Sequence, residues 1–237
     1  DIIYPCTQLL DEKTTISDYT PKNVNNVYRG YVSAREALSK SINIPAVKVL
    51  SYVGIDKAKH YAEDMGIEFD ELDDSYSLAL GGMTYGTNIL QLAGAYSTFA
   101  NSGNYSKPKS ISFITDKNIR LVYINKPHEV NVMREDCAYL LTDMLKTCAT
   151  TGTAKKLAQL NIDIASKTGT VGKQNSKSNL DAWNISYTKD YACGVWLGNL
   201  DNSPINYAGG NQPTEIVKNY FTIVGDNSHF NIPSSIV

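Results

Sequence analysis

Residues 163–173 read DIASKTGTVGK: a short apolar lead, Ile164 and Ala165, runs into a lysine flanked by hydroxyls and a glycine. If the segment is a β-strand, Lys167 and Gly169 share one face and Thr168 and Thr170 the other. An ammonium at Lys167 supplies positive charge for a carboxylate, or lowers a neighbouring pKa. Threonine hydroxyls can donate to the same carboxylate, and a backbone N–H beyond Gly169 can serve an oxyanion hole. An edge strand would let an extended substrate pair with free backbone groups, and Gly169, lacking a side chain, would let it come close. A phosphate-binding loop fails on order. The glycine follows Lys167 instead of preceding it, and in GTVGKQ Gln174 stands where Ser or Thr must hold magnesium. The plainer competitor is a strand ending in a turn glycine with solvated polar neighbours.

A second cluster lies far upstream, in SKSINIP, where Ser41 and Asn43 stand one residue apart between two predicted helices. In an extended loop, positions i and i+2 point to the same side. Ser41 can then relay a proton while Asn43 orients a lysine or a substrate amide. The alternative is that Asn43 caps the helix opening at Pro45 and Ser41 is a polar helix end.

The elements that must position these residues follow from periodicity and punctuation. Residues 1–30 are polar and turn-rich and read as an extended arm or loop. Ser33 and Glu36 form a capping box for a helix reaching Lys40. Pro45 suits the first turn of a second helix, closed by Gly54, and a third ends at Gly66. SLALGGMTYGT is a glycine-rich connector, with Thr87 as cap of the helix NILQLAGAYSTFA. SISFITD and LVYIN predict a hairpin. REDCAYLLTDMLKTCA has helical spacing, and IDIASKTGT, DAWNISYT and YACGVWLG predict strands, the last two joined by a tight turn at Lys189 and Asp190. A helix near PTEIVKNYFTIV finishes the order. Helices gathered before a run of strands predict an α+β fold with an antiparallel sheet, as one domain over residues 1–237.

Hydrophobic residues make up 42% of the 237 and charged residues 19%, which supplies a sizeable core. A net charge of −2 with no Lys/Arg cluster gives nucleic acid no electrostatic foothold as a partner. No apolar run approaches the roughly 20 residues of a membrane span. Cys6, Cys137, Cys148 and Cys193 form no C-x-x-C pair, and Cys137 and Cys148 sit too far apart on one predicted helix to meet. They read as reduced, mostly buried thiols. His60, His128 and His229 are scattered, so neither a metal site nor a cofactor is expected. Tyr85, between Thr84 and Gly86, reads as a packing residue more than a cleft-lining one.

Taken together, the two clusters are much more specific than either alone. Ser41-Ile42-Asn43 followed by Lys167-Thr168-Gly169 matches, in order, the S-x-N and K-T-G motifs of penicillin-binding proteins and class A β-lactamases. The blocks VSAREALSKSINIPAVKVL, LALGGMTYGTNILQLAGAYSTFANSGNYSKP, TTGTAKK, SKTGT and DAWNISYT…YACGVWLGN resemble the transpeptidase domain of class A (bifunctional) penicillin-binding proteins. The resemblance implies a serine acyltransferase fold, an antiparallel sheet packed with helices beside an α-helical subdomain. It implies catalytic roles for Ser41, Asn43 and Lys167, and a substrate wall of Thr168, Gly169 and Thr170. There the carboxylate of a D-Ala-D-Ala stem peptide, or a β-lactam, would meet Lys167 and the threonine hydroxyls, with the Thr170 N–H completing the oxyanion hole. It further implies peptidoglycan as partner and the extracytoplasmic face of the bacterial membrane as location.

One motif is missing. The family's nucleophile, S-x-x-K, should precede S-x-N on a helix that sets lysine one turn beyond serine. No S-x-x-K occurs in residues 1–40. Ser106 to Lys109 contains Pro108 and precedes a strand, and Ser186 to Lys189 ends one. Neither can start that helix. The chain is therefore expected to be the C-terminal portion of the domain, with the serine helix upstream and possibly on a second chain. By the same resemblance, a glycosyltransferase domain and a membrane anchor would lie further upstream. The expected activity is D,D-transpeptidation through a serine acyl-enzyme, with this portion inactive alone. A β-lactamase-like hydrolase, or a serine-less sensor or scaffold module, are the alternatives; Glu68, Glu71 and Asp74 lie between the motifs, but none is marked as a base for deacylating water.

Overall fold

A computed structural model describes residues 3–172, 176 and 178–236; Lys173 and Gln174 of GTVGKQ fall outside the described residues. The N-terminal stretch read as an arm contains a strand. β1 (Gln8–Asp11) pairs antiparallel with β2 (Gly30–Ser33), Gln8 opposite Ser33 and Asp11 opposite Gly30. The strand hides in the sequence because one of its two buried residues is a carboxylate. Asp11 accepts from Asn23 Nδ2 at 2.6 Å and from the Arg29 N–H at 3.0 Å, with the Arg29 guanidinium 3.9 Å away. Those partners are what let a carboxylate sit fully buried.

Ser33 caps α1 (Ala34–Ser39), its Oγ accepting the Glu36 N–H at 3.1 Å, as the capping box predicts. The helix ends in a Schellman turn: the Ile42 N–H donates to Ala37 O at 2.8 Å and the Ser41 N–H to Leu38 O at 3.1 Å. Ser41 is the left-handed residue of that turn, with φ 54°. α2 (Asn43–Val53) follows at once and lacks a side-chain cap of its own. Its cap comes from a distance, for Asn23 Oδ1 accepts the N–H groups of Asn43 and Ile44, each at 3.1 Å. Asn43 is therefore the first helical residue and not the cap, and the helix opens two residues before Pro45.

Gly54 links α2 to α3 (Ile55–Asp64). Asp73, buried in the connector beyond, accepts the Asp70 N–H at 2.9 Å and the Thr84 N–H and hydroxyl at 2.6 and 2.8 Å. Asn88, not Thr87, caps α4 (Ile89–Ala100) in a reciprocal box with Gln91. Thr87 bonds the Gln91 side chain instead, at 2.9 Å. Between α4 and α5 lie β3 (Asn104–Ser106), β4 (Phe113–Thr115), β5 (Leu121–Ile124) and β6 (Glu129–Asn131). The expected hairpin is β4–β5, and the pair β3–β6 at its base is an addition.

α5 (Glu135–Thr150) leads to a 3-10 segment and then to the antiparallel sheet β7 (Ala165–Gly172), β8 (Asn179–Tyr187) and β9 (Ala192–Gly198), in that spatial order. α6 (Gln212–Val224) closes the fold. The sheet lies between two apolar layers. Leu157, Ile164, Val217 and Phe221 pack on the α6 side, and Leu145, Cys148, Ala165 and Tyr187 on the side of α4 and α5. Helices on an antiparallel sheet make this the α+β class expected. The thiols differ from expectation: all four are free, but Cys6 and Cys137 are exposed and only Cys148 is fully buried. Among the described residues no helix is long and apolar enough to cross a membrane.

Replacing Asn23 by alanine removes the remote cap of α2 and one partner of buried Asp11. The expected loss is about 2 kcal/mol, measured by urea unfolding, with Asn23→Asp intermediate between alanine and the parent.

Candidate active site

β7 carries Lys167 to the edge of the sheet, where, among the described residues, only β8 pairs with it. Side chains alternate as the spacing predicts. Ala165 and Lys167 turn toward α5, while Thr168 and Thr170 turn to the opposite side. Lys167 Nζ lies 2.8 Å from Ser41 Oγ and 2.8 Å from the carbonyl oxygen of Thr168. Burial holds its pKa below the ordinary lysine value, against a smaller opposing influence from the Cys148 thiol. Burial likewise pushes Cys148 up to about 11, so it stays a neutral thiol. The site thus holds an ammonium group satisfied by neutral oxygens, a strong attractor for an anion.

Ser41 reaches this amine because of its backbone. A left-handed L-residue costs roughly 1–2 kcal/mol, and glycine is the usual occupant of this position in a Schellman turn. The serine is retained where its hydroxyl meets Lys167, an outlier that points to function.

The other expected site residues are distributed differently. Asn43 does not share an extended side with Ser41, because the chain turns left-handed at one and becomes helical at the other. Its Nδ2 donates to Lys22 O at 2.8 Å. Thr168 is buried behind the strand and donates to Thr153 Oγ1 at 2.7 Å, away from the Lys167 face. Thr170 is exposed, its Oγ1 accepting the Gly209 N–H at 3.0 Å, which leaves its hydroxyl hydrogen free. The bareness of Gly169 serves packing: a Cβ there would sit 3.3 Å from Trp183 Cβ, so the neighbouring strand's indole uses the space expected for a ligand. The structure therefore brings Ser41 and Lys167 together, sets Gly169 and Thr170 on the adjoining edge, and directs the Asn43 and Thr168 side chains to Lys22 and Thr153. Sequence reasoning misses Asn23 and Thr153, whose only sequence signals are a turn-rich arm and a TTGT helix end.

The two S-x-x-K matches carry no helix start. Ser106 ends β3, with Lys109 in the loop beyond. Ser186 is buried in β8, bonded to Ser166 and Asn184, and Lys189 lies in the turn to β9. Tyr85 is 84% exposed, so it is not a packing residue.

The backbone strain and the hydroxyl of Ser41 can be separated. Ser41→Gly should be more stable than Ser41→Ala by about 1 kcal/mol, because both lose the hydroxyl and only glycine relieves the left-handed turn. Equal unfolding midpoints would refute the strain.

Comparison with known proteins places this geometry. The family described as the penicillin binding protein transpeptidase domain matches residues 3–222. The chain is 35% identical over 237 residues to Penicillin-binding protein 1F of Bacillus subtilis strain 168, covering 98% of this chain and 33% of that protein. It is 35% identical over 191 residues to Penicillin-binding protein 1A of Clostridium botulinum, covering 79% of this chain and 22% of that protein. The chain thus spans a third or less of the length of these relatives. In fold it is similar to the crystal structure of Penicillin-binding protein 1A from Haemophilus influenzae, with TM-score 0.84, 21% identity and coverage of 98% of this chain and 41% of that one. The PonA1 protein of Mycobacterium tuberculosis in complex with penicillin V gives TM-score 0.83 at 21% identity, covering 98% and 66%. A family match over nearly the whole sequence, on a chain whose S-x-N serine meets its K-T-G lysine, shows that the protein belongs to the penicillin-binding protein transpeptidase domains, in the class A group that its sequence blocks resemble.

Proposed function

We propose that this chain is the S-x-N- and K-T-G-bearing portion of a D,D-transpeptidase that cross-links peptidoglycan stem peptides through a serine acyl-enzyme. The observation that carries the reading is the 2.8 Å contact between Lys167 Nζ and Ser41 Oγ. The nucleophilic serine comes from a segment outside this sequence and attacks the carbonyl of the D-Ala-D-Ala bond. The C–N bond breaks, the acyl group stays on the serine, and the departing D-Ala amine needs a proton. Ser41 can deliver it: its Oγ already accepts from Lys167, so its own hydrogen is free to leave, and the ammonium replaces it at once. The lowered pKa of Lys167 eases that transfer. The nucleophile's own proton passes to the S-x-x-K lysine expected outside this sequence. The amine of a neighbouring stem peptide then attacks the acyl-enzyme carbonyl, and the ester C–O bond breaks. The amine's proton returns through Ser41 to Lys167, the serine recovers its proton from the S-x-x-K lysine, and the cross-link is released.

Recognition falls to the same edge. The Lys167 ammonium and the free hydroxyl hydrogen of Thr170 favour the terminal carboxylate of the stem peptide, or of a β-lactam that mimics it. The side of β7 that is unpaired among the described residues offers backbone groups to an extended peptide. Thr168 acts from behind the strand, and Asn43 by fixing the start of α2. The site would work on the extracytoplasmic face of the bacterial membrane, where stem peptides are.

Two measurements test this reading. The 237 residues alone should take no fluorescent penicillin, whereas the longer protein should be labelled at a serine outside this sequence. In that protein Lys167→Ala should slow acylation by about 100-fold or more. A label on Ser41, or acylation indifferent to Lys167, overturns it. With a chromogenic cephalosporin the longer protein should give a single stoichiometric burst; sustained turnover would instead support the hydrolase.

A further inference from the structure

The turn after α1 and the strand β7 carry the two partners of the Lys167–Ser41 contact, yet they are far apart in sequence and belong to no common sheet. Something must fix their separation. The turn after α5, Thr151-Gly152-Thr153, touches both. The Thr153 N–H donates to Ser39 O at 3.1 Å, two residues before Ser41. The Thr153 hydroxyl accepts from Thr168 Oγ1 at 2.7 Å, one residue after Lys167. Gly152 makes the approach possible, because a Cβ there would collide with the Ser39 carbonyl oxygen and lie 2.7 Å from Cys148 Cα. Gly210 packs against Thr153 from outside, where a Cβ would come within 2.6 Å of its carbonyl oxygen.

Other contacts join α1 to α5 alone. Arg35 donates to Asp143 O at 3.0 Å and to Thr147 Oγ1 at 2.9 Å, and the Cys148 thiol donates to Leu38 O at 3.6 Å. They hold the helix by hydrogen bonds, and α5 meets the strand only by packing, Cys148 and Leu145 against Ala165. Thr153 bridges the gap, with its backbone on one partner and its hydroxyl on the other.

We propose that Thr153 is a positioning residue that locks the S-x-N turn to the K-T-G strand and so sets the distance between Ser41 and Lys167. On this view the threonine of K-T-G is an anchor: Thr168 ties the back of β7 to Thr153 while its neighbour Lys167 faces the site. The inference rests on the transpeptidase reading for its functional meaning and on hydrogen bonds alone for its geometry.

Thr153→Val keeps the shape of the side chain and removes the hydroxyl, breaking the strand leg and leaving the N–H to Ser39 intact. Thr168→Val breaks the same bond from the other end, and Thr153→Ser preserves it. The readout is the titration of the Lys167 amine, followed by 15N-lysine NMR on the 237-residue chain and assigned with Lys167→Met. The titratable neighbour facing that amine is Cys148 from α5, which none of these variants alters. Loosening the lock admits water to the ammonium. Both valine variants should then raise its midpoint toward the ordinary lysine value by at least about half a pH unit. The double variant should shift it no further than either single one, and Thr153→Ser should match the parent. If Thr153→Val does not fold, Thr168→Val carries the comparison. An unmoved midpoint in the folded valine variants, even with a lowered melting temperature, overturns the proposal by showing the bond to be merely structural. The titration needs no acylation. Its failure would leave the transpeptidase reading standing, and failed penicillin labelling of the longer protein would leave the lock standing.

Discussion

The structure is organised around a largely enclosed lysine amine that has neutral neighbours. Removing an ammonium from water costs several kcal/mol, and a carboxylate partner is the usual remedy. Lys167 meets a serine hydroxyl and a backbone carbonyl instead. The folded pKa is therefore lower than the unfolded one. Below the folded value both states hold the proton and the burial penalty is present in full; as pH rises from there to the unfolded value, stability increases. The fold keeps this lysine among neutral oxygens although that placement disfavours its charged form. Such tension is expected of a binding site and not of a core.

Bearing it requires rigid surroundings, and the surroundings are built mostly from backbone capture. Asn23 holds the first N–H groups of α2, Asp11 holds Asn23, and β1 pairs with β2 to carry Asp11. The strand read as an irregular arm is in this sense the base of the S-x-N turn. On the other side of the site, Gly209 donates to Thr170 while its carbonyl accepts from Thr214, which also accepts from Asn184 of β8. Thus β7 is held from behind through hydroxyls and in front by the packing of Ala165 on α5, while its outer edge is unpaired among the described residues. A strand fixed on both faces can present a cation at a set place.

Features with a local period were legible. The capping box at Ser33, the long helix α5 and the three strands of the sheet all follow from spacing within a short window. β3 and β6 were not, since three residues each give no period to detect. The remote cap was invisible for another reason: Asn23 lies 20 residues from the N–H it satisfies, and no local pattern encodes that pairing. At the site, order and type of motif pair Ser41 with Lys167, and the two side chains lie 2.8 Å apart. The sequence is silent where one residue admits two uses. Gly169 gives up a side chain for a neighbouring indole, and nothing in the tripeptide K-T-G reveals which neighbour needs the room.

Strand geometry also sets a limit on the motif itself. Consecutive residues of a strand point to opposite faces, so the lysine and threonine of K-T-G cannot both line one wall. If Lys167 faces the site, Thr168 must face the α6 side, and a hydroxyl buried there needs a partner. Thr153 Oγ1 is that partner at 2.7 Å. The threonine is thereby as constrained as the lysine, though for a different reason: one residue is kept for the charge it presents, the other for the bond that keeps that charge in place. The same logic explains Ser41, whose left-handed backbone is worse than glycine in every respect except the hydroxyl it aims at the amine.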